Sequence, residues 1–153
     1  TQIGVDAQVI IEDWLFKFEG IYRGQKDDSY TAIVTGFEYT FYGINDSAVD
    51  FGWLMEYQFD DRGTDATSVA QNDIMTGGRF AFNDVAGTEL LIGLVQDLDY
   101  GASRSGFIEA SARINDNWKW RLDAWFLTAN DNKDPMFFIK QDDFASFALE
   151  YYF

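Results

Sequence analysis

The stretch Asp143-Phe-Ala-Ser-Phe-Ala-Leu-Glu-Tyr-Tyr-Phe153 decides the fold. Taken at every second residue, it separates into Phe153, Tyr151, Leu149, Phe147 and Ala145 on one side. Tyr152, Glu150, Ala148, Ser146 and Phe144 fall on the other. Successive side chains of a β-strand point to opposite faces, so this is a strand with one wholly apolar face and one mixed face. No polar tail follows it. A row of large apolar groups left in water invites edge-to-edge aggregation. The apolar face therefore needs apolar surroundings, and a lipid bilayer is the obvious candidate.

Outward from this strand, the same alternation recurs along the chain. It is clearest at 49–60, where Val49, Phe51, Trp53, Met55, Tyr57 and Phe59 face one way. Asp50, Gly52, Leu54, Glu56, Gln58 and Asp60 face the other. Further strands are predicted at Gln2–Ile11, Trp14–Arg23, Tyr30–Ile44, Ile74–Phe82, Thr88–Leu98, Arg104–Ile114 and Trp118–Leu127, which makes nine candidates. Short connections at Glu12-Asp13, Asn45–Ser47, Asn83–Gly87 and Asn115–Asn117 carry turn chemistry. They alternate with longer ones around Gly24–Ser29, Asp61–Asn72, Asp99–Ser103 and Thr128–Asp142, the last holding the only proline, Pro135. No helical period competes over a long segment, and no linker divides the chain, so residues 1–153 read as a single domain.

Composition narrows the class. No run approaches the roughly 18 apolar residues of a membrane-spanning helix. Only helices and closed barrels satisfy every backbone group in lipid, so a membrane location requires a barrel. The slightly negative mean hydropathy of −0.22 argues against a helical membrane protein but suits a barrel, whose two faces average out. A formal net charge of −15 argues against nucleic acid, since phosphate binding needs clustered Lys and Arg. There is no cysteine, so disulfides and thiolate metal sites are excluded. The chain starts at Thr1 without an initiator Met or a basic-then-apolar leader; the expectation is a removed signal peptide or a piece of something longer.

The ending resembles the C-terminal strand signature of Gram-negative outer-membrane β-barrels. That signature is a terminal aromatic preceded by apolar residues at alternating positions, here Phe153, Tyr151, Leu149 and Phe147. The segment Trp118–Phe153 also resembles the closing hairpin of larger proteobacterial barrels of unassigned function. The resemblance implies an all-β, antiparallel up-and-down transmembrane β-barrel in a Gram-negative outer membrane. Its implied partners are outer-membrane lipid, lipopolysaccharide and the barrel assembly machinery, which reads the terminal strand. A homo-oligomer or an envelope-complex partner is left open. No cofactor is implied.

Such barrels have an even strand number with both termini in the periplasm. Counting back from Phe153, the strand at Gln2–Ile11 would begin at the outer surface. Either the sequence is the C-terminal portion of a larger barrel, or residues 1–11 are a tail or plug and eight strands from Trp14 close a small barrel.

The face opposite the apolar one carries Lys17, Glu19, Arg23, Glu38, Asp50, Glu56, Asp60, Arg79, Asp97, Glu109, Arg113, Lys119, Arg121, Asp123 and Glu150. In a barrel these line the lumen, as a pore wall that tunes selectivity or as ion pairs in a closed interior. Trp14, Tyr22, Phe41, Phe59, Trp118, Tyr151 and Phe153 sit near strand ends on the apolar face, where aromatic girdles form. The alternative is the core of a soluble sandwich or a lipocalin-like binder. Loop acids Asp27, Asp28, Asp60, Asp61, Asp65, Asp99, Asp131 and Asp134 are candidate ligands for Ca²⁺ or Mg²⁺, or for bridging to lipopolysaccharide, against the plainer reading of a solvated acidic surface. No loop has EF-hand spacing, and no metal site is assigned. With neither His nor Cys, the usual nucleophile–base arrangements are absent, and no enzyme is expected. Glu56 and Asp60 lie on one face of a strand, but any polar lumen produces such a pair. The expected function is a porin-like passive channel for small hydrophilic solutes or ions. The alternative is a structural or interaction barrel without conductance.

Overall fold

The computed structural model describes residues 1–24 and 29–153. It is all-β. Nine strands follow one another as β1 (Gln2–Ile11), β2 (Trp14–Arg23), β3 (Tyr30–Phe41), β4 (Asp50–Asp60), β5 (Asn72–Ala81), β6 (Glu89–Asp97), β7 (Arg104–Arg113), β8 (Trp118–Thr128) and β9 (Phe144–Tyr151). They form one sheet in sequence order, each pairing antiparallel with the next. Among the described residues β1 and β9 are the two edges and do not pair, so the sheet is open.

Residues 2–11 are a full strand, paired with β2 from Gln2↔Arg23 to Ile11↔Trp14. The tail-or-plug reading of this segment is thereby corrected: ten ladder positions satisfy its backbone as no loose tail would. Eight strands from Trp14 onward do not close on themselves.

The short turns are built as their residues dictate. Glu12, Asn45, Asp46 and Asn83 adopt positive φ, as does Gly87. Asn and Asp tolerate that region because their short polar side chains bond the local backbone; for Glu12 it is unusual. Among the described residues the longer connections contain two 3-10 turns, Gly63–Asp65 and Pro135–Phe138. The second starts on Asp134, whose carboxylate accepts from Met136 N at 2.8 Å, with Pro135 at the first helical position.

Residues opposite one another in an antiparallel ladder share a face, so the register extends each strand's alternation across the sheet. One row runs Lys17, Gly36, Glu56, Met75, Val95, Ser105 and Leu127. The neighbouring row on the other face runs Phe16, Phe37, Met55, Thr76, Leu94, Gly106 and Phe126. The strand charges thus gather on one face, while the other is predominantly apolar.

The sheet curls around the charged face. A single cavity of about 440 Å³ is lined by Lys17 of β2 and Trp125 of β8, with side chains from every strand between. In a flat sheet those two strands would stand about 29 Å apart, six spacings of ~4.8 Å. A cavity of that volume is about 9 Å across if spherical, so only a strongly bent sheet brings both to its wall. Among the described residues no helix is long and apolar enough to cross a membrane, which says nothing about strands.

Candidate functional site

The register puts all fifteen charged residues predicted for the lumen on the one curled-in face. Lys17, Glu19 and Arg23 are on β2, and Glu38 is opposite Leu54. Asp50, Glu56 and Asp60 belong to β4, Arg79 to β5, Asp97 to β6, and Glu109 and Arg113 to β7. Lys119, Arg121, Asp123 and Glu150 complete the row on β8 and β9. Asp6, Asp73 and Glu89 share this face, and acids outnumber bases on it.

Several of these charges have identified partners. Arg79 reaches Glu38 at 3.5 Å across the intervening strand β4. The bridge passes over Gly52, where a Cβ would lie 2.5 Å from Glu38 Oε1. Any side chain at 52 would displace the carboxylate, which gives this glycine a role that alternation alone does not reveal. Arg121 meets Glu150 at 3.3 Å, and Tyr152 donates to the same carboxylate at 2.7 Å. Asp60 is held by Arg62, whose Nε donates at 2.8 Å, and is not a free lumen charge. Glu56 accepts from Gln58 at 2.6 Å. The Glu56–Asp60 pair is thus divided between two local partners.

The middle of the charged face is apolar. Leu54 and Phe107 are each 8% exposed, among the most buried large side chains of the described residues. Phe107 stacks on Trp125 with centroids 5.0 Å apart. It lies over Gly93, its cross-strand partner, where a Cβ would collide with the ring. Gly77 faces Gly93 across the next ladder, and the Leu54 side chain packs over it. Leu54 falls on this face by its period, but the sequence carries no signal that Gly77, Gly93 and Phe107 join it in a floor.

At the long-connection end, polar groups are buried. Gln71, Asp73, Asp97, Ser103 and Asp134 are almost fully enclosed. Asp73 and Asp97 are direct cross-strand partners, a like-charge pair that is ordinarily unfavourable. Backbone and amide donors stabilise Asp97: Asp99 N at 2.7 Å, Tyr100 N at 2.8 Å and Gln71 Nε2 at 3.0 Å. Asp134 Oδ2 and Gln71 Oε1 have no hydrogen-bond partner among the described residues. Nearby, desolvation and then the carboxylates of Asp131, Asp134, Asp97 and Asp99 hold the Tyr100 phenol above its usual value. Asp97 was expected as a lumen charge and Asp134 as an exposed loop acid; Asp134 is instead a helix cap at zero exposure.

Of the other loop acids, Asp61 accepts from Thr31 N at 2.9 Å, Asp99 from Asn72 Nδ2 at 2.9 Å and Asp131 from Lys133 N at 2.9 Å. Asp65 lies in the 3-10 turn at Gly63–Asp65. Asp27 and Asp28 lie outside the described residues. Among the described residues no group of three or more acidic side chains is placed to hold a metal ion.

Comparison with known protein families, curated proteins and solved structures finds no match to this chain. Its reading therefore rests on its own geometry.

The apolar face bears the predicted aromatics. Trp14 contacts Phe16, Phe37 and Tyr39, with centroids 5.7, 5.3 and 4.7 Å apart. The chain of rings continues from Tyr39 to Phe41, Phe51 and Phe80. At the other edge Trp118 packs on Tyr151 at 5.0 Å, and Tyr151 on Phe153 at 5.9 Å. These contacts all lie toward the short-turn end. Tyr22 and Phe59, at the opposite end, join no such chain among the described ring pairs. Phe147, Leu149 and Tyr151 share the apolar face of β9 and are exposed, as are Leu94 and Ile3.

Proposed function

We propose that this chain forms part or all of an outer-membrane β-barrel that passes small hydrophilic solutes or ions, with a preference for cations. One observation carries the reading: a nine-stranded antiparallel meander keeps the strand charges, Arg104 apart, on one face and an exposed apolar belt on the other. That arrangement suits a lipid exterior and a polar interior. The strands have 8 to 12 residues. At ~3.3 Å per residue and a tilt near 40° they cover roughly 20–30 Å, which matches an apolar band of about 25 Å. Excess acid on the inner wall attracts cations and repels anions.

Closure remains to be supplied. In a nine-stranded meander β1 and β9 run in the same direction. Antiparallel closure therefore needs an odd number of additional strands between them, from elsewhere in the same protein or from a partner.

The test is conductance of the refolded protein in a planar bilayer under a salt gradient. Discrete conductance with a zero-current potential of the cation-selective sign supports the reading. A folded protein that stays silent overturns it and leaves the structural barrel. The structural reading has its own support, since Leu54, Phe107 and Met136 occupy space that a wide pore would leave to water. A protein that remains monomeric in detergent-free buffer would instead favour the soluble binder.

A further inference from the structure

The cavity on the charged face is not lined as a simple water-filled passage would be. Its volume of about 440 Å³ falls within the ~300–1,000 Å³ range of small-molecule sites. Leu54, Phe107 and Trp125 contribute an apolar and aromatic wall. Val69, Ala70 and Met136, from two of the long connections, cover one end.

The rim is charged and unequal. Glu38, Glu56, Asp73 and Glu109 line it, against Lys17 and Arg79. Arg79 is engaged with Glu38, and Glu56 with Gln58. Glu109 is exposed, has no ion-pair partner among the described residues, and lies directly across the ladder from another acid, Asp123. It is two residues from Phe107 on the same face of β7. An unpaired carboxylate beside a stacked aromatic pair is the chemistry that recognises an organic cation. The ring faces attract the charge and the apolar body together, and the carboxylate adds the Coulomb term.

We propose that this cavity binds a small organic cation with an apolar or aromatic body, seated against Phe107 and Trp125 with its charge at Glu109. The proposal deepens the reading above by naming a solute class, and it rests on that reading only in placing the charged face inward. It does not depend on conductance.

The test uses the full chain, folded in detergent micelles, titrated by calorimetry with benzyltrimethylammonium, benzyl alcohol and benzoate. The expected result is saturable binding of the ammonium, about tenfold or more tighter than benzoate. Glu109→Gln is expected to weaken the ammonium about tenfold and leave benzyl alcohol unchanged. Trp125→Leu is expected to weaken both the ammonium and the alcohol, and Trp125→Phe to restore most of the loss. Circular dichroism of each variant confirms that the sheet is retained. Equal, non-saturating uptake of all three probes overturns the proposal, as does tightest binding of benzoate or an unchanged Glu109→Gln variant. Saturable ammonium binding to a barrel that does not conduct supports the site and overturns the channel. Conductance without saturable binding does the reverse.

Discussion

The middle strands and the edge strands of this sheet carry the same sequence pattern and reach different depths. β1 alternates as cleanly as β4, with Ile3, Val5, Ala7, Val9 and Ile11 on one face, yet all ten of its residues are exposed. In β4 the buried positions include Gly52, Leu54 and Asp60, all on the charged face. The difference lies outside the strand's own sequence. β4 has a partner on each side and inner-face residues that are buried; β1 has one partner among the described residues, and all its residues are exposed. Alternation fixes which way a side chain points, and neighbours decide whether water reaches it.

The largest expected contrast uses glycine. At Gly77 a Cβ would lie 2.7 Å from Ile92 O and 3.2 Å from Leu54 Cδ1, whereas at Gly4 the nearest atom is 3.8 Å away. Gly77→Val should cost about 3 kcal/mol or prevent folding, and Gly4→Val less than about 1 kcal/mol. Urea unfolding midpoints in micelles measure both, and equal losses would erase the distinction. A truncation pair on the inner face comes next. Phe107→Ala should cost about 3–5 kcal/mol, because the ring is enclosed and leaves a cavity. Phe144→Ala, on the exposed inner face of β9, should cost about 1 kcal/mol in the same assay.

Hydrogen exchange sharpens the comparison without substitution. Alternate amides of β1, those not bonded to β2, should exchange quickly, while those of β5 and β6 persist. Slow exchange of every β1 amide would mean that another strand occupies that edge. The smallest effect is at a turn. Asp84 accepts from Thr88 N at 2.8 Å and Thr88 Oγ1 at 2.7 Å, and these bonds hold its carboxyl below the usual carboxylate range. A lowered folded-state value means that this contribution is complete above the ordinary carboxylate pKa and fades as pH falls through the folded one. Asp84→Asn should therefore lower the unfolding midpoint slightly at neutral pH and less in acid. A difference that grew on acidification would reverse the sign.

Much of the fold was legible because period-2 alternation is local information. Every predicted strand exists, and the fifteen charges share a face because the short turns preserve register. Boundaries shifted where polar residues continue a strand: β5 starts at Asn72, which reads as loop, and not at Ile74. The buried polar end was not legible. Gln71 and Asp73 are distant in sequence from Asp97 and from Asp134, and each is an ordinary surface residue type. Met136 sits in a segment that reads as a polar loop, and only the 3-10 turn at Pro135–Phe138 turns it inward. The cavity wall was hidden likewise, since Phe107 and Trp125 each interrupt a run of polar inward positions and meet only through the register of β7 and β8.

The paired Gly77 and Gly93 have a geometric consequence. Two facing glycines leave a line across β5 and β6 with no side chains to crowd the inner surface, and the Phe107 ring lies over half of it. A sheet folds most tightly along such a crease, and an aromatic packed over the gap stiffens the fold. Curvature fixes circumference, and circumference fixes how many strands a ring can hold. The curvature of this sheet is therefore written partly in two residues that have no side chain.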